Sequence, residues 1–199
     1  NLVTKIEEGI EGPLAGIPFT AKDNICVNGS LTRAGSKILD GYRPSFDATV
    51  VSRLKAAGAV FIGTTNMDEF GFGTFSTNCA FGTPRNPFDI SRSCGGSSGG
   101  AACATAIIRH HIAIAESTGG SISCPASFCG VVGFTPTYGR ISRYGLIDYA
   151  NSLDKIGLMG RSIEDIALVF AFIVGQDEMD PTSLAQPPLE LVEREIKSV

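Results

Sequence analysis

Two serine-bearing glycine loops bracket a single apolar segment near the middle of the chain. No other feature limits the fold as strongly. Gly95-Gly96-Ser97-Ser98-Gly99-Gly100 opens the stretch and Thr118-Gly119-Gly120-Ser121 closes it. Glycine reaches backbone conformations that other residues avoid and lets a ligand or another backbone come close. One Gly-Gly pair ordinarily marks a tight turn, but two that each carry a serine across one apolar run are hard to ascribe to chance. The pattern between them predicts a helix from about Ser98 to Ile108, a turn at Arg109–His111 and a strand at Ile112–Ala115. A helix followed by a returning strand carries both loops to one end of a sheet.

Hydroxyls set among main-chain N–H groups are the minimum equipment for acyl transfer, because the N–H groups can bind the oxyanion that forms as the hydroxyl attacks. The hydroxyl also needs a proton acceptor. His110 and His111 lie in the turn before the strand, at the end opposite Thr118–Ser121, so a Ser-His-Asp arrangement is disfavoured. Lys22 closes a predicted strand, Ile17–Lys22. Taken locally it reads as a solvated charge. Placed beside two serine loops it becomes a candidate base, since burial disfavours the ammonium form. Asp23 and Asn24 read as turn residues. Asp68 and Glu69 could form an acid/base pair, but their place in the first turn of a helix opening at Asn66 favours a structural reading.

The remaining text alternates strands and helices. Asp47 is expected to cap a helix over Ala48–Ala57, Gly58 to end it, and Ala59–Gly63 to form a short buried strand. A strand–helix–strand unit favours parallel pairing. Phe72–Ser93 reads as a long ordered loop, a kind that tends to be functional. Pro125–Phe128 reads as a helical turn, Val131–Phe134 as a strand, and Thr135–Tyr149 as turn-rich with Arg140 and Arg143 exposed. Ser162 is expected to cap a helix over Ile163–Val174, and Pro187-Pro188 to precede a helix at Leu189–Lys197. The fold class expected is α/β, with a mixed, largely parallel sheet covered by helices on both faces.

A net charge of −4 gives no basic surplus for gripping nucleic acid directly. No apolar run approaches the roughly 18 residues of a membrane span, and the opening residues do not read as a signal peptide. The six cysteines contain no C-x-x-C pair, so no metal site is expected. They read as small buried hydrophobes of a reducing, cytoplasmic compartment. Cys94, beside the first serine loop, is open to a reactive reading, with packing preferred.

These motifs resemble those of the amidase signature family. Gly95–Gly100, Thr118–Ile122, Pro125-Ala126 and Ala21-Lys22-Asp23-Asn24 carry the resemblance. Asp47–Val50, Thr65–Phe70, Phe81–Pro87 and Tyr138–Gly145 are similar to the branch that forms the A subunits of glutamyl-tRNA(Gln)/aspartyl-tRNA(Asn) amidotransferases. The resemblance implies a relay of Lys22, bridging Ser97 and nucleophilic Ser121, with a cis peptide at Gly96–Ser97. It implies an oxyanion hole from the N–H groups of Thr118, Gly119, Gly120 and Ser121, supported by Gly95, Gly96, Ser98 and Gly99. The implied function is release of ammonia from glutamine, through an acyl-enzyme, for transamidation of Glu-tRNA(Gln) or Asp-tRNA(Asn). No cofactor is implied in this chain. A tRNA-binding partner subunit would use ATP and magnesium, and a small third subunit would complete the complex. The alternatives are a stand-alone small-molecule amidase and an inactive amidase-like scaffold. Two positions depart from the family pattern: Ser117 stands where the family has Asp, and Ser123 where it has Arg. Residues 1–199 read as part of one amidase signature domain, with further parts on both sides.

Overall fold

The computed structural model describes residues 11–185 together with Gly9. Its centre is a five-stranded sheet: β1 (Pro18–Lys22), β2 (Val60–Thr65), β3 (Ile112–Ser117), β4 (Val132–Phe134) and β5 (Lys155–Gly160). The spatial order is β2-β1-β3-β5-β4. β1 pairs parallel with β2 and β3, whereas β5 pairs antiparallel with β3 and β4. Every strand except β5 therefore runs the same way, giving the mixed, largely parallel sheet expected.

Alternation along the strands builds two cores. On one face Phe19, Ala21, Ile112, Ile114, Ile156 and Leu158 pack against α1 (Thr49–Ala56) and the later helix over Ile163–Ile173. On the other, Ala113, Ala115 and Met159 meet α2 (Gly99–Ile107) and Ile122, just before α3 (Ser123–Phe128). The helix Ile163–Ile173 is α4, and Ser162 Oγ caps it by accepting the Asp165 N–H at 3.1 Å, as the sequence indicates. Small residues line α2 because it lies close to the loop ahead of it. A Cβ built at Gly100 would fall 2.6 Å from the Asn66 backbone nitrogen.

Several expectations need correction. Asp47 does not cap α1: the N-cap is Ala48, with no side-chain bond, and Asp47 Oδ1 instead accepts from the Asn28 N–H and Lys55 Nζ, each at 2.8 Å. The strand after Gly58 is not buried; β2 is a sheet edge with Ile62 exposed. No α-helix opens at Asn66, where only a 3-10 turn, Glu69–Gly71, forms. Its Asp68 carboxylate turns inward, accepting the N–H groups of Ser76 and Asn78 at 2.9 Å each. Arg143 is half-buried, stacked 4.9 Å over Tyr138 and donating to Asn151 and Thr182; Arg140 is also half-buried. β5 had no counterpart in the sequence reading. The helix expected at Leu189–Lys197 lies outside the described residues. Among the described residues, no helix is long and apolar enough to cross a membrane. Three cysteines, Cys26, Cys94 and Cys129, are buried, while Cys79, Cys103 and Cys124 are half-exposed.

Candidate active site

Lys22 is the last residue of β1 and is fully buried. Its Nζ donates to Ser97 Oγ at 2.8 Å, to Glu116 Oε2 at 2.8 Å and to the Glu116 carbonyl at 3.2 Å. Three acceptors match the three protons of an ammonium. Ser97, also fully buried, follows a cis Gly96–Ser97 peptide, and its carbonyl accepts the Asp68 N–H at 3.1 Å. Ser98 stitches the two glycine loops together. Its N–H donates to the Ser121 carbonyl at 3.2 Å, and its Oγ donates to the Glu116 carbonyl at 3.0 Å.

Two opposing effects act on Lys22. Loss of solvent drives its pKa below the usual lysine range, and the Glu116 carboxylate pulls the other way. Asp68 and Asp154 add weaker pulls in the same sense as Glu116, and the net direction is downward.

The first glycine loop rests on the long segment after Phe72. Ser76 Oγ donates to the Gly95 carbonyl at 2.7 Å and accepts the Gly99 N–H at 3.1 Å, while Ser93 Oγ accepts the Gly95 N–H at 2.9 Å. The second loop is held through Gly120. Its N–H donates to Ser117 Oγ at 3.1 Å, and its carbonyl accepts from Ser123 Oγ at 3.4 Å. Ser117 and Ser123 thus fasten the two ends of one residue.

Ser121 is half-buried and faces a cleft of about 470 Å³ whose walls include Gly96, Thr118, Tyr149 and Leu153. A space of that size suits a small ligand, and none of its lining residues carries a charge. Thr118 Oγ1 lies 3.0 Å from Glu116 Oε1 and 2.6 Å from Asp154 Oδ1. A hydroxyl has one proton, so only one of these carboxylates receives it. Asp154 Oδ2 accepts the N–H groups of Tyr149 and Ala150 at 2.6 and 2.8 Å, which fixes that wall of the cleft.

His111 sits at the far end of β3. Its Nε2 is 3.0 Å from Thr20 Oγ1, and burial drives its pKa down to about 4. Strand rise puts the two ends of a six-residue strand such as β3 roughly 17 Å apart. Asp23 is structural, accepting the N–H groups of Arg33 and Gly35 at 3.2 and 3.3 Å.

Lys22, Ser97 and the second serine loop lie together, as the motifs imply, but no sequence signal points to Asp154 or Ser76, and Glu116 is close in sequence yet turned away from the site by strand alternation. Glu116 carried a misleading signal. Alternation assigns it to the face of Ile112 and Ile114, and Lys22 to the face of Thr20. They meet because both lie beyond Ala21 and Ile114, the last residues that pair β1 with β3.

A family model described as Amidase matches residues 2–198. Similar curated proteins include the A subunit of glutamyl-tRNA(Gln) amidotransferase from Methanococcoides burtonii, 54% identical over 175 residues, which cover 88% of this chain and 37% of that protein. The protein of the same name from Cyanothece sp. is 53% identical over 184 residues, 92% of this chain and 38% of its own length. The crystal structure of the same kind of protein from Thermotoga maritima superimposes with a TM-score of 0.86 at 45% identity, covering 89% of this chain and 39% of that one. A native peptide amidase from Stenotrophomonas maltophilia gives 0.83 at 43% identity, covering 91% and 38%. The chain therefore spans somewhat over a third of the length of these relatives.

Proposed function

This chain belongs to the amidase family, and on that premise we propose that it carries the amide-hydrolysing centre of the A subunit of a glutamine-dependent amidotransferase. The observation that carries the reading is the contact of Lys22 Nζ with Ser97 Oγ at 2.8 Å, in a buried pocket stitched to the Ser121 loop. Ser121 Oγ attacks the side-chain amide carbon of glutamine, and its proton passes through Ser97 to Lys22. The oxyanion is met by main-chain N–H groups of the second loop. The Gly120 N–H already donates to Ser117 Oγ, which leaves Thr118, Gly119 and Ser121 for that role. Collapse expels ammonia, which takes back the relay proton, and water then releases glutamate from the acyl-enzyme. The ammonia goes to an activated Glu-tRNA(Gln) or Asp-tRNA(Asn) held by a partner subunit that uses ATP and magnesium, with a small third subunit in the complex. A net charge of −4 is consistent with leaving tRNA to that partner, in the cytoplasm.

A second reading is hydrolysis of an uncharged amide by a stand-alone enzyme. The uncharged lining of the cleft and the likeness to a peptide amidase favour it. The test for both uses the intact natural protein, with and without its partner subunits, and an acylating glutamine analogue followed by peptide mapping. The expected label is on Ser121, absent in Ser121→Ala and slowed about 10²–10⁴-fold in Ser97→Ala, the usual worth of general-base help. A label on Ser97 overturns the assigned roles. Rapid turnover of neutral amides without partners, and none of glutamine with them, selects the second reading.

A further inference from the structure

We propose that Glu116 sets the pH threshold of this site, by holding Lys22 as its ammonium until the solution is alkaline enough to free the lone pair that Ser97 requires. This rests on the reading of Lys22 as the proton acceptor. A base that must take a proton from a hydroxyl needs an unprotonated nitrogen. In the structure the nitrogen makes three contacts, all to acceptors suited to an ammonium, and two of them belong to Glu116. The ion pair is dry, with side-chain exposures of 0% for Lys22 and 1% for Glu116. Neither water nor salt weakens the attraction as it would at the surface.

The other charged groups around Lys22 act from further away. Asp68, on the 3-10 turn, has both carboxylate oxygens bound to the N–H groups of Ser76 and Asn78. Asp154, just before β5, reaches Lys22 only through Thr118 and Glu116. The nearby cation Lys155, on β5, approaches as far as the Thr118 carbonyl, at 3.2 Å. Glu116 is thus the only charged side chain among the described residues that touches the lysine nitrogen, and it acts through Lys22 rather than on a substrate. Asn24 Nδ2, 3.4 Å from Glu116 Oε2, and Thr118 Oγ1 keep its carboxylate aimed at the lysine.

The experiment compares the intact natural protein with Glu116→Gln, which keeps the shape and the hydrogen-bonding capacity but removes the charge. Lys22 is followed directly by NMR titration of ¹³Cε-labelled lysine, assigned with Lys22→Met, and the acidic limb of the kcat/KM profile for amide hydrolysis is measured alongside. Both are expected to move to lower pH in Glu116→Gln by about one to three units, the effect of an opposite charge at close range. Glu116→Asp, which withdraws the carboxylate by one methylene, should move them the same way by less. An unshifted Lys22 titration in Glu116→Gln, or in Glu116→Asp if the glutamine variant does not fold, overturns the proposal. A shifted titration in a protein that hydrolyses no amide leaves the Glu116 assignment standing and refutes the amidase reading instead.

Discussion

Replacing Lys22 with methionine removes the positive half of a fully buried ion pair and leaves the Glu116 carboxylate in place. Glu116 would keep only Thr118 Oγ1 at 3.0 Å and Asn24 Nδ2 at 3.4 Å as side-chain partners. The first of these has its single proton in demand from Asp154 at 2.6 Å, and the second is long. Breaking a buried pair by deleting one partner typically costs about 3–5 kcal/mol, because the surviving charge is stranded away from water. Methionine matches the lysine stem closely enough that lost packing adds little. Lys22→Met is therefore expected to destabilise the folded state by about 3–5 kcal/mol, a large part of the roughly 5–15 kcal/mol that holds a domain together. Lys22→Met/Glu116→Gln removes both charges and should recover more than half of that loss. The assay is urea denaturation of the intact protein, with the four corners of a double-mutant cycle followed by circular dichroism. A Lys22→Met penalty below about 1 kcal/mol, or a double mutant no more stable than the single, refutes the reasoning.

His111 is held neutral by burial, with its pKa brought down from 6.5 to about 4. The unfolded chain therefore binds more protons between these values, and this residue's stability contribution is present above pH 6.5 and lost as pH falls to 4. The loss is roughly 3 kcal/mol at about 1.36 kcal/mol per unit, and a His111→Gln variant whose stability falls just as steeply over that window contradicts it. Gly100→Ala should destabilise by about 1–3 kcal/mol, against the stabilisation of up to about 1 kcal/mol that alanine ordinarily brings to a helix. The new Cβ meets the Asn66 backbone 2.6 Å away, and a raised thermal midpoint for this variant would show that α2 moves freely off that loop.

Much of the sheet and its helices was legible because those signals are local. Ser162 followed by an apolar helical repeat specifies α4 wherever it sits, and the two glycine loops mark where α2 begins and β3 ends. The Asn66–Glu69 stretch misled because its acidic residues fit a helix start equally well. In the folded chain Asp68 finds better partners in the N–H groups of Ser76 and Asn78, and the chain bends to reach them.

Strand β5 shows the limit of local reading. Lys155–Gly160 contains two glycines and a single β-branched residue, so its own propensity for a strand is weak. It becomes one because β3 and β4 pair with it on both sides. Glycine is also needed there, since a Cβ at Gly157 would collide with the main-chain carbonyl oxygen of Phe134. The sequence by itself determined the residue types that can do acyl chemistry and the loops that present them, since glycine, serine and lysine carry those capacities anywhere in a chain. Which carboxylate meets the lysine was decided only by the tertiary structure. Glu116 and Lys22 are assigned to opposite faces by strand alternation, and they touch because two strands distant in sequence stop pairing at the same level of the sheet.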